Sequence, residues 1–224
     1  MLPTRHKVTL QHIISRSAGI EEAELEQFIH RQNEDDRFND VIDDINRALH
    51  DLDFQLKRVL DQIDGRVFWY LQNMSSDTVS QQATFYPSIE VEFFRYLIEW
   101  IIQAENYAFS LSSLDIHRLA AKEEKLPLAT HTVESYLQDF ERDEWLVQRD
   151  GMYSLSNRSL ADLEQYLRTE YENSVFECNA CRGIVTLGGL CNCGYCLHVY
   201  CCNRLQSVQC PSCNEPWDNV TKLG

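Results

Sequence analysis

Up to about residue 173 the apolar positions recur at helical spacing in successive blocks, and each set of helices ends in β-prone runs joined by Asp-Gly. Leu10, Ile13 and Ile14 hold the i, i+3, i+4 spacing of a helix face, and Gly19 follows as a stop. Glu21 and Glu22 open a second helix, where negative charge suits the positive end of the helix dipole, with Leu25, Phe28 and Ile29 on its apolar side. Phe38, Val41, Ile42, Ile45, Ala48, Leu49 and Leu52 form the stripe of a longer amphipathic helix. The runs starting at Phe54 and Arg66 then flank Asp64-Gly65, a pair suited to a type I′ hairpin turn because both central positions take positive φ.

Residues 75–84 are polar, follow neither period and read as a linker. Beyond them the plan repeats. Pro87 and Ser88 start a helix with Ile89, Phe93, Tyr96, Leu97, Trp100, Ile101 and Ala104 on one face, widened by Phe94, Ile98 and Ile102. Ser113 caps a helix to about Lys125, Pro127 breaks it, and Thr130 or Thr132 caps the next, with Val133, Tyr136, Leu137 and Phe140 inward. Asp150-Gly151 then joins Trp145-Leu-Val-Gln-Arg to Met-Tyr-Ser-Leu in a second hairpin, and Leu160, Leu163, Leu167 and Tyr171 mark a last helix. Three helices followed by a two-stranded wing is the winged-helix plan. The predicted fold is therefore mainly α with small β hairpins: two tandem winged-helix domains, 1–86 and 87–173, and a separate segment, 174–224.

A DNA-reading third helix presents Arg, Lys, Asn or Gln to the bases, whereas here it carries Glu134, Asp139, Glu141, Asp143 and Glu144 against Arg142. The formal charge of -15 falls entirely before residue 174, since Arg182, Arg204 and Lys222 afterwards balance Glu177, Glu215 and Asp218. An acidic body repels phosphate backbones, so a protein partner is expected and no direct DNA binding by the chain alone. No stretch approaches the ~20 apolar residues of a membrane span. Residues 91–102 come nearest and contain Glu92, Arg95 and Glu99, which predicts a soluble, intracellular protein without a membrane partner.

All nine cysteines lie between Cys178 and Cys213. They form Cys178-x2-Cys181, Cys191-x-Cys193, His198-x2-Cys201 and Cys210-x2-Cys213, four short pairs of soft ligands of the kind that offers one turn to one zinc ion. Disulfides are disfavoured by the odd count and by an N-terminus without a signal-like apolar run. A segment this short lacks the apolar surface to fold alone, and each structural zinc contributes about 10–16 kcal/mol of apparent binding energy to folding. The ligand order suits a cross-brace: Cys178, Cys181, His198 and Cys201 on one ion, Cys191, Cys193, Cys210 and Cys213 on the second. Cys193-x2-Cys196 is also sterically reasonable, which leaves Cys196 as an alternative to Cys191; spare thiols, Cys202 among them, fill small apolar sites. The remaining histidines, His6, His12, His30, His50, His117 and His131, are scattered without ligand spacing and take surface or core-edge roles, and no phosphate loop or nucleophile motif is present.

Two winged-helix-like units ahead of a module carrying Cys-Asn-Ala-Cys, Leu-His-Val-Tyr-Cys and Cys-Pro-Ser-Cys-Asn-Glu-Pro-Trp resemble the non-structural maintenance of chromosomes element one family, the RING-like subunit of the SMC five/six complex. The resemblance implies a nuclear, chromosome-associated subunit. It further implies pairing with a MAGE-type winged-helix protein and a role in DNA repair and recombination as a RING-type E3 ubiquitin transferase. A RING holds an E2 enzyme carrying ubiquitin in its reactive geometry and forms no covalent intermediate, so no catalytic residue is expected and the cysteines serve as ligands. Pro211 matches a position that in many RING modules meets the E2, and Ile184 and Val185 could add apolar contact. Against this, residues 202–209 leave little room for a central helix, and position 214 is Asn where active ligases often place a basic residue. Weak or absent activity without the partner follows. The alternatives are a zinc-stabilised docking scaffold and a PHD-like histone reader, the latter disfavoured by Val208 where that class has an aromatic residue.

Overall fold

A computed structural model describes residues 2–16, 18–74, 86–206 and 208–224, so the expected linker at 75–84 lies outside the described residues. The first unit runs α1 (Thr4–Ile14), β1 (Ile20–Glu21), α2 (Glu22–Gln32), α3 (Phe38–Leu49), β2 (Phe54–Leu60) and β3 (Val67–Asn73). Its core joins Ile13, Leu25, Ile29, Val41, Ile42, Ile45 and Leu49 from the helices to Leu56 and Trp69 of the hairpin. The sequence stripe of α1 needs correcting: His6, Thr9 and Ile13 face inward while Ile14 is 54% exposed. Thr9 tolerates that face because partners meet it there, its Oγ1 donating to Arg5 O at 3.1 Å and accepting from Gln32 Nε2 at 3.1 Å. Leu52 also points out, since α3 stops at Leu49 and Asp53, at φ 57°, turns the chain into β2.

The second unit repeats this order as α4 (Ser88–Ile102), β4 (Leu111–Ser112), α5 (Ser113–Lys122), α6 (Thr130–Arg142), β5 (Leu146–Arg149) and β6 (Met152–Leu155). In each unit a two-residue strand between the first and second helices pairs antiparallel with the hairpin's second strand, giving the matching orders β1-β3-β2 and β4-β6-β5. Val91, Phe93, Phe94, Leu97, Ile98, Ile101 and Ile102 bury α4, while Ile89, expected on that face, is exposed in its first turn. The cap of α5 is Ser112, whose hydroxyl accepts from Asp115 N, and α6 starts after Ala129 without a side-chain cap. The two Asp-Gly turns differ. Asp150 (φ 51°) and Gly151 (φ 80°) both take the conformation a type I′ turn needs, whereas in the first hairpin only Gly65 (φ 75°) does. There Asp61 organises a longer loop, its Oδ1 accepting from Ile63 N at 2.9 Å and Asp64 N at 3.1 Å.

The final helix is two short ones, α7 (Asn157–Asp162) and α8 (Glu164–Glu170), meeting at Leu163. The C-terminal segment follows as β7 (Phe176–Glu177), β8 (Ile184–Val185), β9 (Gly188–Leu190), β10 (Cys196–His198), α9 (Val199–Leu205) and β11 (Thr221–Leu223). Strands β10, β9 and β11 form an antiparallel sheet and β7 pairs with β8. The apolar core of the second unit runs without a break into this segment, through Leu163 and Leu167 to Ile184, Val185, Leu197 and Leu223. Arg168 of α8 rivets the join, donating to Glu164 at 2.9 Å, Glu177 at 2.7 Å and the carbonyl of Arg182 at 2.7 Å.

The long loop of the first hairpin has a tertiary purpose. Gln62, 5% exposed, accepts at Oε1 from the amides of Thr186 and Leu187, each at 2.9 Å, and donates from Nε2 to Thr186 Oγ1 at 3.0 Å. Its own carbonyl accepts from Tyr200 N at 2.9 Å. Lys57 of β2 meets Glu164 at 2.6 Å, Asn157 donates to Asp61 at 2.9 Å, and Gln72 donates to the carbonyl of Ala161. Buried donors stripped of their acceptor cost about 1–3 kcal/mol each, so Gln62→Ala is expected to destabilise the chain by about 2–4 kcal/mol. Denaturant unfolding measures the loss, and hydrogen exchange should localise it to the amides of Thr186 and Leu187.

Asp162 lies at the same junction with its side chain 11% exposed and Oδ1 unpartnered, Arg158 Nε standing 3.6 Å from Oδ2. Burial pushes its carboxyl up to about 6 against the opposing pull of Arg158. The raised value means a penalty that is absent below about pH 4, where the acid is neutral folded or unfolded, and complete above about pH 6. Asp162→Asn is therefore expected to stabilise the protein by about 2 kcal/mol at pH 8, the difference from wild type vanishing by about pH 4 in parallel melting curves.

Candidate metal centre

The local turns that carry the cysteines share one construction. After the second cysteine of a pair comes a residue with left-handed backbone: Arg182 (φ 66°), Gly194 (φ 87°) and Asn214 (φ 62°). The N–H of each donates back to the carbonyl of the pair's first cysteine, Arg182 to Cys178 at 2.9 Å, Gly194 to Cys191 at 2.8 Å and Asn214 to Cys210 at 2.9 Å. The turn reverses the chain so that both thiols face one point. Gly and Asn are the residues that adopt this conformation most readily, which gives Asn214 a backbone reason.

The eight sequence-predicted donors fall into two groups, with the ligand atoms of each within 4.8 Å of one another: Cys178, Cys181, His198 and Cys201, and Cys191, Cys193, Cys210 and Cys213. In the first, His198 Nδ1 lies 3.3 Å from Cys181 Sγ and 3.8 Å from Cys201 Sγ. Its other nitrogen, Nε2, is 2.9 Å from the carbonyl of Ile184, which can only accept, so Nε2 carries the hydrogen and the Nδ1 lone pair faces the thiols. In the second, Cys191 and Cys213 are 3.5 Å apart and Cys193 and Cys210 3.6 Å. A tetrahedral zinc with bonds of ~2.3 Å separates its sulfurs by roughly 3.8 Å, so both donor sets fit a thiophilic ion of that size.

Cys196 stands outside both groups. Its amide and carbonyl pair with Asn179, at 2.8 Å and 2.9 Å, fastening β10 to the first cysteine turn. Burial pushes its thiol up to about 12, with the neighbouring Cys178 adding to the shift. Cys202 is also outside and partly buried. Ile184 and Val185 are buried in the core rather than offered to a partner. The expected lack of room for a central helix is corrected: α9 begins at Val199, ahead of Cys201, and so spans Val199–Leu205. Sequence reasoning missed Gln62, whose partners lie 124 or more residues away, and Asn179 and Arg168, whose nearer partners meet them across turns that no periodicity marks. His6, placed at a surface or core edge, is buried 3.5 Å from Asp44 and 3.8 Å from Asp36.

Tandem helix-and-hairpin units ending in a module with two interleaved Cys/His clusters define a multi-unit protein with two candidate metal sites. The sequence profile of the family described as "Nse1 non-SMC component of SMC5-6 complex" matches residues 1–163. The fission yeast Schizosaccharomyces pombe protein "Non-structural maintenance of chromosomes element 1" is 47% identical over 224 residues, covering 100% of this chain and 96% of its own. The Homo sapiens homolog is 32% identical over 187 residues, 81% of this chain and 70% of its own. A solved chain of an "Nse1-Nse3-Nse4 complex" superposes with TM-score 0.83 at 27% identity, covering 97% of both chains. The chain belongs to the Nse1 family.

Zinc titration of the reduced, metal-stripped chain is expected to show two equivalents bound. Cys191→Ser should abolish one, and Cys196→Ser should retain both; the reverse pattern would move the second pair to Cys193 and Cys196.

Proposed function

We propose that the chain is the RING-type E3 ubiquitin ligase subunit of an SMC five/six chromosome-maintenance complex, in the nucleus and on chromosomes, acting in DNA repair. In this reading residues 174–224 form a RING-like domain with two zinc ions, one on Cys178, Cys181, His198 and Cys201, the other on Cys191, Cys193, Cys210 and Cys213. Residues 1–86 and 87–173 are its two winged-helix domains. The observation that carries the reading is the interleaving: the first and third pairs converge, as do the second and fourth. The repeated strand orders β1-β3-β2 and β4-β6-β5 support the winged-helix assignment. The solved neighbour belongs to a complex with Nse3 and Nse4, which supports a MAGE-type Nse3 partner.

Zinc supplies structural rigidity here, and the chemistry belongs to the E2. What the chain's own residues do is present a surface and hold it still. Pro211 is exposed, and with Ile184 and Val185 buried the apolar contact falls to Val199, Leu205 and Val208, the last 80% exposed. That exposure also weighs against a histone reader, as does Trp217, which is partly buried against Tyr195 and Gly189 instead of standing free in a cage. Gln62 fixes the loop after Ile184 and Val185 to the start of α9, so the first unit steadies the E2-facing elements.

The test is release of ubiquitin from a loaded E2 panel by the full chain, alone and with a MAGE-type partner. Slow discharge alone, raised at least about tenfold by the partner and lost in Pro211→Ala or Val208→Asp, is expected. No discharge under any condition would leave the docking-scaffold reading in its place.

A further inference from the structure

Away from the metal clusters, α4 and the end of α8 flank an open pocket of about 440 Å³. Glu92, Tyr96 and Glu99 line it from α4, one stripe at i, i+4 and i+7, and Tyr166 and Tyr171 line it from the opposite wall. The three tyrosines are partly buried, so their rings border the cavity instead of closing into the core. Tyr166 and Tyr171 stand almost perpendicular, with centroids 5.9 Å apart and planes at 76°, while Tyr96 is backed by Trp100 at 5.7 Å. The carboxylate of Glu99 acts on both walls, adding to the raised titration of Tyr96 and of Tyr171, whose largest cause in each case is burial. Arg95 lines the same cavity and is itself partnered.

Ring faces are the negative side of the aromatic quadrupole, so a pocket walled by tyrosines and edged with carboxylates is built for a cation. Shape selects the kind. A flat guanidinium stacks parallel on one face, whereas two perpendicular rings surround a compact, nearly spherical group. The body around the pocket holds the chain's whole charge excess, which draws cations towards it. We propose that this pocket receives an alkylammonium group, the side chain of a lysine or methylated lysine on a basic segment of another protein. The proposal is independent of the ligase reading and needs no metal.

The full chain, with NMR of ring-labelled tyrosines as readout, is titrated with choline and with its neutral isostere 3,3-dimethylbutan-1-ol. Basic peptides carrying one unmodified or one trimethylated lysine follow, and their relative affinity separates the two sources. Saturable shifts of Tyr96, Tyr166 and Tyr171 with the cation, and none with the isostere, are expected. Tyr171→Leu should weaken binding by about fivefold or more and Tyr171→Phe should restore it, because only the ring face is needed. Glu99→Gln, which leaves the aromatic packing intact, should also weaken binding, and Arg95→Ala should tighten it by removing a competing cation. Equal binding of the neutral isostere, or choline affinity unchanged in both Tyr171→Leu and Glu99→Gln, would overturn the proposal, as would the lack of any saturable shift.

Discussion

A segment of the size of residues 174–224 cannot bury enough apolar surface to choose its own orientation, so its place in the molecule depends on what is done to it from outside. Two contacts of different kinds do this. The shared core that runs from Leu163 and Leu167 into Ile184, Val185 and Leu197 supplies the energy, because burying apolar area is non-directional and additive. The amide of Gln62 supplies direction. A buried amide that meets two backbone N–H groups and a hydroxyl has one satisfied orientation, and any slip leaves several polar groups dry. The ion pairs spanning the same join, Lys57 to Glu164 and Arg168 to Glu177, are each about a third exposed and contribute little energy beside it.

This division of labour explains which parts of the molecule could be read from the chain. Both donor groups were legible because each pair is local: two residues or fewer between its ligands, with a left-handed turn residue directly after the second in three of the four pairs. Cys191-x-Cys193 is the instructive case. Spacing alone leaves Cys193-x2-Cys196 open, but Gly194 lies between Cys193 and Cys196 and its left-handed turn bonds back to Cys191, while the backbone of Cys196 is taken by Asn179. The helices of both units were also legible, since a helix facing one core must repeat its apolar residues.

What the chain concealed is what partners at long sequence distance decide. Strands β1 and β4 are two residues each, too short for any period, and exist because a hairpin edge lies beside them. Thr9 displaces an apolar neighbour on α1 because Gln32 of α2 and the carbonyl of Arg5 satisfy it, whereas His6 is buried near Asp36 and Asp44 with neither ring nitrogen hydrogen-bonded. Asp64-Gly65 looks like Asp150-Gly151 in sequence, yet only the free-standing hairpin takes the I′ turn. The other is held by Asp61 into a loop that carries Gln62 across to the C-terminal segment, a case of tertiary demand overriding turn chemistry.

The third helix of the second unit, α6, shows how charge on a helix face weighs on the kind of partner it suits. Val133, Leu137 and Phe140 anchor it, leaving Glu134, Gln138 and Glu141 outward. Arg142, its basic residue at the far end, is taken by Asp139 at 2.5 Å and Asp143 at 3.0 Å, so its charge is matched before a phosphate could meet it. Bringing a duplex to this face would add like-charge repulsion without releasing counterions, which removes the term that drives nucleic-acid association. A basic protein surface gains from the same field. The acidity that opposes the first kind of partner therefore favours the second, over the whole body that the cysteine-rich module is fastened to.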